Sequence, residues 1–270
     1  MNDFSRPNFS RCKLCGKDAA APKYQLKQMT LYACTNCDFH FIDALDELPT
    51  EESAESLLTG KTRGFIASNL LQNTAQLKIN LQFVKAHVSL PGTNCLDIGS
   101  GAGVFPSLLQ EEQATPQGIE PQQVFREYAL EKFKILLRAE LVDDPYWQHG
   151  YSTYFDVITL WDTLEHVNFP VQTIVAAAKL LKPGGYLFLD TPSRDSFFYR
   201  VSEWSYRFSN ASKSPLLETI YSPKPFRHKQ IFTKAQLLAL LKSAGFSNIE
   251  SSAFHRTKKK LVLVARKTDH

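Results

Sequence analysis

A glycine-rich turn directly follows a short apolar segment of the chain, and together they predict a nucleoside-binding site. The segment ends at Asp97, and the turn carries Gly99, Gly101 and Gly103. Between a strand and a helix, glycines at this spacing let the backbone approach a phosphate or nucleoside closely. A dinucleotide-binding turn also requires a glycine or alanine where this chain has Val104. The spacing therefore disfavours a nicotinamide dinucleotide and favours another nucleoside cofactor.

An acidic residue, Glu120, ends the next short strand that the sequence predicts. A carboxylate has two oxygens, so it can accept hydrogen bonds from both hydroxyls of a ribose at once. The position after the second strand favours ribose binding over the alternative, which is a solvated acid at the end of a strand.

Four of the five cysteines form two Cys-x-x-Cys pairs with 18 residues between the pairs: Cys12, Cys15, Cys34 and Cys37. The two-residue gap lets both sulfurs of a pair face one ion, and two such pairs fit tetrahedral zinc. Two disulfides or an iron site are the alternatives, and zinc is favoured in a chain without an export signal. Because four thiolates leave no open coordination position, we expect the zinc to be structural. Residues 1–45 are therefore predicted to form a small zinc-ribbon-like module.

The elements that position these residues alternate between strand and helix from residue 91 onward, which is typical of an α/β domain with a mostly parallel sheet. The predicted strands are Asn94–Ile98, Gln117–Glu120, a weakly patterned third near Ile135–Leu137 or Leu141, Phe155–Leu160, Tyr186–Asp190, Asn248–Phe254 and Leu261–Ala265. The predicted helices are Val104–Gln113, Gln122–Lys132, Pro170–Leu181 and one that Thr233 caps and that continues through Ala244. We expect the last two strands to form an antiparallel hairpin.

Three further divisions of the chain are predicted. Residues 46–90 are a linker and a helical cap, the latter from an amphipathic pattern over Gly64–Val88. Residues 91–270 are the nucleoside-binding domain, in which residues 191–228 are irregular and rich in aromatic and basic side chains. A loop of that length is usually functional or disordered, and its aromatic density argues against disorder, so we expect it to cover the substrate. The alternatives are a satellite core above the sheet or a stacking surface for an RNA base.

The overall charge and hydropathy limit the partners of the chain. A net charge of +4 is mild and gives little support to a nucleic-acid partner. No apolar stretch approaches the roughly 18 residues that span a bilayer, so no membrane partner is predicted. Residues 1–11 lack the apolar core of a signal peptide, and we expect a cytoplasmic location.

Four segments line up, in order and spacing, with the motifs of the class I S-adenosylmethionine (SAM) methyltransferases: Leu96–Phe105, Gly118–Pro121, Phe155–Val167 and Leu180–Leu189. The chain most resembles a bacterial group with Leu-Glu-His-Val after the fourth strand and His-x-x-x-Phe-Thr before a later helix. Here these motifs are Leu164–Val167 and His228–Thr233. Some members of that group carry an N-terminal four-cysteine zinc module and act on sugars or other small metabolites. The resemblance implies a Rossmann-like, seven-stranded, mostly parallel sheet whose last strand is antiparallel.

The resemblance also implies a set of residues that bind SAM. These are Asp97, Gly99, Gly101, Gly103, Glu120, Glu140, Trp161 and Asp162. The glycines would let the backbone approach the methionine part of SAM, and Asp97 would lie near its amino group or order the turn. Glu120 would bind the ribose. The adenine amino group would meet an acid after the third strand, for which Glu140 is the candidate and Asp143 the rival.

Two histidines are candidates for a catalytic base. His166 follows the fourth strand, where cofactor and substrate should meet, although it could instead be a structural residue that holds the loop. His228 could be a base or part of a basic patch that binds a phosphate or carboxylate. Asp162, Glu165 and His166 also resemble the Glu-x-x-Glu-His magnesium site of quinone-precursor O-methyltransferases, so a hard cation there is a further alternative. Glu165 could equally cap the next turn.

The sequence thus predicts a SAM-dependent methyltransferase that acts on a small molecule, such as a sugar or a nucleotide-linked sugar. An rRNA base methyltransferase with a zinc module is a second interpretation. A non-catalytic zinc-ribbon adaptor with a degenerate methyltransferase fold is a third, and the intact glycines and Glu120 argue against it. Nothing in the sequence predicts the oligomeric state.

Overall fold

The structure is a computed structural model that describes residues 8–47, 58–208, 215–255 and 259–269. Within these ranges the strands are β1 (Ala20–Gln25), β2 (Thr30–Cys34), β3 (His40–Ile42), β4 (Asn94–Ile98), β5 (Thr115–Ile119), β6 (Phe155–Leu160), β7 (Leu181–Pro192), β8 (Gln230–Ile231), β9 (Phe246–Ser251) and β10 (Lys260–Lys267). The helices are α1 (Gly60–Lys85), α2 (Val104–Glu111), α3 (Gln123–Phe133), α4 (Pro145–Gly150), α5 (Pro170–Leu180), α6 (Phe197–Phe208), α7 (Pro215–Ile220) and α8 (Lys234–Ser243). None of the helices in these ranges has the length and apolar character that crossing a membrane requires.

The larger sheet has the strand order β5-β4-β6-β7-β10-β9. The first four of these strands run parallel to one another, and β10 runs antiparallel to both β7 and β9. Side chains of β6 alternate between two cores, since Val157 packs with residues of α1 and α2 while Ile158 packs with residues of α5 and α8. Burial on both faces explains why the β6 sequence is a nearly continuous apolar run. The predicted Rossmann-like, mostly parallel sheet with an antiparallel last strand is confirmed.

One edge of this sheet differs from the prediction. The described residues contain six strands in this sheet, and the expected third strand is reduced to one parallel bridge between Arg138 and Ile119 beside β5. Ile135 and Leu137 are buried, but they pack against Ala129 of α3. Arg138 donates a hydrogen bond to the Tyr146 hydroxyl of α4 at 2.8 Å. The chain therefore turns into α4 after a single bridge instead of continuing along β5.

Helix α1 lies against α2 and α3 on one face of the sheet. Its Phe83 and Val84 pack with Phe105 and Leu108 of α2. The helix begins at Gly60, earlier than the predicted Gly64, because the side chains of Thr59 and Thr62 cap each other's backbone N–H groups. The predicted linker falls largely on residues 48–57, which lie outside the described residues.

The smaller sheet joins the N-terminal module to a distant part of the chain. Its strand order is β1-β2-β3-β8, so two residues of the His-x-x-x-Phe-Thr motif form its fourth strand. Segment 191–228, which we predicted as irregular, contains α6 and α7. Tyr199, Tyr206 and Tyr221 from this segment pack with Leu31 and Ile42 of the N-terminal sheet. These three tyrosines thus form a satellite core with that sheet, while Phe197, Phe198, Trp204 and Phe208 are exposed.

Candidate cofactor groove and catalytic cluster

The glycine-rich turn brings the ends of β4 and β6 unusually close together. Gly99 has a φ of +79°, and a Cβ atom there would lie 2.3 Å from Oγ1 of Thr163. Gly103 has a φ of +80°, and its Cβ would lie 2.7 Å from Cβ of Ala129 in α3. Both positions therefore require glycine for conformation and for space. Gly103 serves the packing of α2 against α3, which differs from the contact with SAM that the resemblance implies for it.

A groove opens at the carboxyl ends of β4 and β6, and we call it the cofactor groove. Its walls are the glycine turn, the start of α2, the residues after β6 and one face of α1. The lining residues are Leu70, Asn73, Gln76, Leu77, Asn80, Asp97, Gly99, Ser100, Gly101, Ala102, Val104, Phe105, Trp161 and Asp162. The groove therefore brings together five of the eight residues predicted to bind SAM, and it lies where open α/β sheets bind their ligands.

Two buried carboxylates hold the turn in shape. Glu120 accepts hydrogen bonds from Gly101 N and Gln122 N, each at 2.9 Å, and so ties the turn to the end of β5. Asp97 accepts a hydrogen bond from the Thr159 hydroxyl at 2.5 Å. Burial raises the pKa of Glu120 to about 7 and that of Asp97 to about 6. Glu120 therefore lies directly behind the groove wall and shapes it, while Asp97 lines the groove itself.

The adenine-binding candidate lies elsewhere. Glu140 follows the single bridge at Arg138, and its carbonyl oxygen accepts a hydrogen bond from Trp147 Nε1 at 2.9 Å. Neither Glu140 nor its rival Asp143 is among the groove-lining residues. The turn of the chain into α4 carries both residues away from the groove.

Helix α1 supplies a polar wall of the groove that was not predicted from the sequence. Asn73, Gln76 and Asn80 face the groove, and Gln76 Nε2 donates to Asn80 Oδ1 at 3.0 Å. Asn80 is almost fully buried and also contacts His255 Nε2 at 2.8 Å. The available signal was the spacing of these amides, which places all of them on one face of a helix.

A second group of side chains lies beyond the end of β6, and we call it the carboxylate–histidine cluster: Glu165, His166 and His228. Oε1 of Glu165 lies 3.9 Å from Nε2 of His166 and 4.0 Å from Nε2 of His228. The two imidazole centroids are 4.9 Å apart. Glu165 is fully buried, and neither of its carboxylate oxygens has a hydrogen-bond partner in the part of the chain that the structure describes. The two histidines that the sequence singled out therefore meet at one unsatisfied carboxyl group.

Burial sets the protonation states of this cluster. Loss of solvent, together with the nearby charges of Asp162 and Asp190, raises the pKa of Glu165 well above its usual range. Burial, followed by the neighbouring His228, lowers the pKa of His166 to about 4. Burial also lowers the pKa of His228. Nδ1 of His228 lies 2.8 Å from the Ile220 carbonyl oxygen, which can only accept, so Nδ1 carries the proton and Nε2 presents a lone pair.

The magnesium alternative does not fit this arrangement. Asp162, the first acid of that motif, is ion-paired with Lys260, whose Nζ also lies 3.3 Å from Oδ2 of Asp190. A lysine ammonium therefore already supplies the positive charge beside Asp162. The remaining donors are one carboxylate and two imidazoles within 4.8 Å of one another, and this set is softer than the oxygen ligands that magnesium prefers.

The fold and the groove together define a Rossmann-like nucleoside-binding enzyme, and comparison with known families makes the class specific. A family model described as a methyltransferase domain matches residues 60–251. The chain therefore belongs to this methyltransferase family, and it is a class I SAM-dependent methyltransferase.

Individual relatives agree with this class. A ubiquinone biosynthesis O-methyltransferase from Vibrio parahaemolyticus is 28% identical over 183 residues, which are 66% of this chain and 74% of the relative. The enzyme of the same name from Xanthomonas campestris is 37% identical over 121 residues, 43% of this chain and 50% of the relative. The second alignment thus spans only half the length of that relative.

Solved structures share the fold at low sequence identity. A SAM-dependent methyltransferase from Thermotoga maritima has a TM-score of 0.52 at 19% identity, covering 76% of this chain and 97% of its own. One from Archaeoglobus fulgidus has a TM-score of 0.51 at 15% identity, covering 72% of this chain and 92% of its own.

Proposed function

We propose that this enzyme transfers the methyl group of SAM to a hydroxyl group of a small-molecule acceptor. The observation that carries the proposal is the carboxylate–histidine cluster, in which uncharged imidazoles surround a buried carboxyl group just beyond the cofactor groove. The O-methyltransferase names of the relatives support a hydroxyl acceptor. A sugar or a nucleotide-linked sugar is the acceptor class that the sequence favours, and an intermediate of ubiquinone biosynthesis is the class that the relatives' names suggest.

In this proposal the cofactor groove holds SAM. Gly99, Gly101 and Asp97 surround its methionine part, while Glu120, behind the groove wall, keeps the turn in shape through Gly101 N and Gln122 N rather than lining the groove as predicted for a ribose ligand. Trp161 and the amides of α1 complete the walls. SAM supplies an activated methyl group on a sulfonium, so the protein mainly has to hold the acceptor oxygen in line with it.

The acceptor hydroxyl must lose its proton as the methyl group transfers, and His228 is our first candidate for the base. Its Nε2 carries a lone pair, and the His228 side chain is 32% exposed, so an acceptor hydroxyl can reach this nitrogen. An uncharged base also suits a site beside a sulfonium, since two cations would repel each other. His166 is the second candidate, with its lowered pKa keeping it neutral.

A methyl-transfer assay with a panel of acceptors tests this proposal. Sugars, nucleotide-linked sugars, phenolic intermediates of ubiquinone biosynthesis and rRNA should be compared, with mass spectrometry of the product to locate the new methyl group. We expect an O-methylated small molecule, and His228→Gln should lower kcat by about 100-fold, within the range of general-base catalysis. His149→Gln, at an exposed histidine of α4, is the matched control. An N-methylated or RNA product contradicts the hydroxyl assignment.

We also propose that the four N-terminal cysteines bind one structural zinc ion. Sγ of Cys12 lies 3.6 Å from Sγ of Cys37, and Sγ of Cys15 lies 3.6 Å from Sγ of Cys34. All four sulfurs lie within 4.8 Å of one another, and all four cysteines are free thiols. Zinc–sulfur bonds of about 2.3 Å require sulfur separations of about 3.8 Å in a tetrahedron, which these positions fit. The same spacing is too long for disulfide bonds.

A further inference from the structure

Strand β8 is hydrogen-bonded to two parts of the molecule at once. On one side it pairs antiparallel with β3 of the N-terminal module, with His40 opposite Ile231 and Ile42 N donating to Lys229 O at 2.9 Å. On the other side, Lys229 N donates to the Glu165 carbonyl oxygen at 2.8 Å. His228 immediately precedes this segment. The backbone of residues 228–231 therefore links the cysteine module directly to the carboxylate–histidine cluster.

The side chain of Gln230 strengthens this link. It is fully buried, and its Nε2 donates to Leu164 O at 2.9 Å and to Val167 O at 2.6 Å. These carbonyl groups flank Glu165 and His166 in the sequence. Gln230 therefore closes the turn that presents the cluster, although it belongs to neither the groove nor the cluster.

A second connection lies beside the first. Lys229 is fully buried, and its Nζ forms a 2.8 Å ion pair with Asp46, just after the N-terminal module. Asp46 is in turn bound to Asn168, since Asp46 N donates to Asn168 Oδ1 at 2.8 Å and Asn168 Nδ2 donates to Asp46 O at 2.7 Å. The segment just after the module and the residues of β8 thus hold the loop after β6 at Asn168 and at Leu164.

From these contacts we propose that the four-cysteine module is a positioning element of the catalytic site, with Gln230 as the positioning residue. The inference deepens the proposed function, in which His166 and His228 act on the acceptor. Strand β3 has only three residues, at the short end of the usual range, and β8 has two, so few hydrogen bonds join them. Strand β3 begins shortly after Cys37, so a metal bound by the four cysteines would order β3. Because β3 pairs with β8, an ordered β3 would in turn fix the position of the carboxylate–histidine cluster. Loss of the metal should therefore slow methyl transfer without lowering the affinity for SAM.

The first test is a pair of glutamine substitutions. Gln230→Met keeps the size of the side chain but removes both donors from Leu164 O and Val167 O. Gln148→Met is the matched control, since Gln148 Nε2 likewise donates to two carbonyls, Val142 O at 2.7 Å and Ala176 O at 3.4 Å, far from the cluster. We expect kcat to fall about 10- to 100-fold in the first variant only, because small misplacements of catalytic groups have effects of that size. The affinity for SAM, measured by calorimetry, should change by less than about twofold in both. Equal losses of kcat in the two variants, or parallel loss of SAM affinity in the first, would overturn the proposal.

The second test removes zinc from the full chain with a chelator and follows hydrogen exchange. We expect the amides of Ile42, Lys229 and Gln230 to lose protection while SAM affinity is kept, and added zinc should restore protection. Unchanged protection of these amides would refute the positioning role. If the metal-free chain unfolds altogether, the folded Gln230→Met variant decides the question through exchange at residues 164–167.

These readouts also separate this inference from the proposed function. Exchange at residues 164–167 reports on positioning even if His228→Gln proves fully active. In that case the base assignment fails while the structural coupling stands. Conversely, a strong His228→Gln defect together with normal exchange and turnover in Gln230→Met rejects the coupling and keeps the base.

Discussion

Nε2 of His228 lies 4.0 Å from Oε1 of Glu165, although the two residues belong to segments that are far apart in the chain. The Glu165 carboxyl is buried and has no hydrogen-bond partner among the described residues. A buried polar group without a partner is costly, and its presence calls for a specific cause such as a catalytic role or a bound water or ion. We therefore expect the acceptor, rather than another part of the chain, to complete the hydrogen bonding of this pair.

The first prediction concerns the pH dependence of turnover. Because burial and the neighbouring His228 lower the pKa of His166 to about 4, this imidazole stays neutral well below its ordinary value of 6.5. If His166 is the base, kcat/KM should stay flat near neutrality and decline only as the pH falls toward 4. A pH profile of kcat/KM with the best acceptor measures this. A decline centred on 6.5 would show that the acting base is not a buried histidine of this kind.

The lowered pKa of His166 also makes the free energy of unfolding depend on pH. The folded state holds His166 neutral, whereas the unfolded chain protonates it below its ordinary pKa of 6.5, so the unfolded chain binds more protons between 6.5 and about 4. The contribution of His166 to the stability of the fold is thus fully present above pH 6.5, and it is lost as the pH falls toward 4. Urea unfolding at pH 7 and pH 5 should show a smaller loss of stability in His166→Gln than in the unmodified protein.

The second prediction concerns Glu120. Both of its carboxylate oxygens accept backbone N–H groups, so Glu120→Gln turns an NH2 group toward Gly101 N or Gln122 N, where two donors oppose each other. We expect a loss of about 1–3 kcal/mol in SAM binding, or roughly 5- to 150-fold in affinity. Calorimetry with SAM measures the change. Glu112→Gln, which alters only an exposed pair with Lys85, should leave the affinity unchanged.

Local sequence patterns were sufficient to predict most of the elements, because neighbouring residues determine them. Thr233 was predicted as an N-cap, and in the structure Thr233 and Gln236 form a reciprocal capping box at the start of α8. Strand β6 was predicted from its apolar run alone. Strand β8 could not be predicted in this way, since two residues have no periodicity and their partner β3 lies almost two hundred residues earlier in the chain.

The parts of the site that were missed depend on contacts between distant segments. Lys260 belongs to the last strand, and only the antiparallel pairing of β10 with β7 brings it to Asp162 and Asp190. Conversely, Glu140 follows the strand pattern of the family but is carried away by the turn into α4. The glycine turn and the histidines could therefore be predicted from the sequence. The charged residues beside them depend on the pairing of β10 with β7 and on the turn into α4.

The third prediction concerns the cysteines. Cys15→Ser should abolish stoichiometric zinc binding, since Cys15 lies in the four-sulfur cluster. Cys95→Ala is the control, because Cys95 is buried on β4 and outside that cluster. Metal analysis of the purified proteins should give one zinc per chain for the unmodified protein and the control. A cluster without metal in the unmodified protein, with five reactive thiols, would contradict the zinc site.

The fourth prediction concerns Lys260, whose ammonium lies between Asp162 and Asp190. Burial raises the pKa of Asp190 to about 6, with Asp162 contributing further and Lys260 acting in the opposite direction. Lys260→Met should raise that pKa further, so the folded state would bind a proton that the unfolded chain releases at lower pH. The destabilisation should therefore be large at pH 8, where the buried carboxylate has to be charged without its partner, and small at pH 5, where it is protonated. Urea unfolding at both pH values measures it, and Lys85→Met, at an exposed pair with Glu112, should change stability little at either.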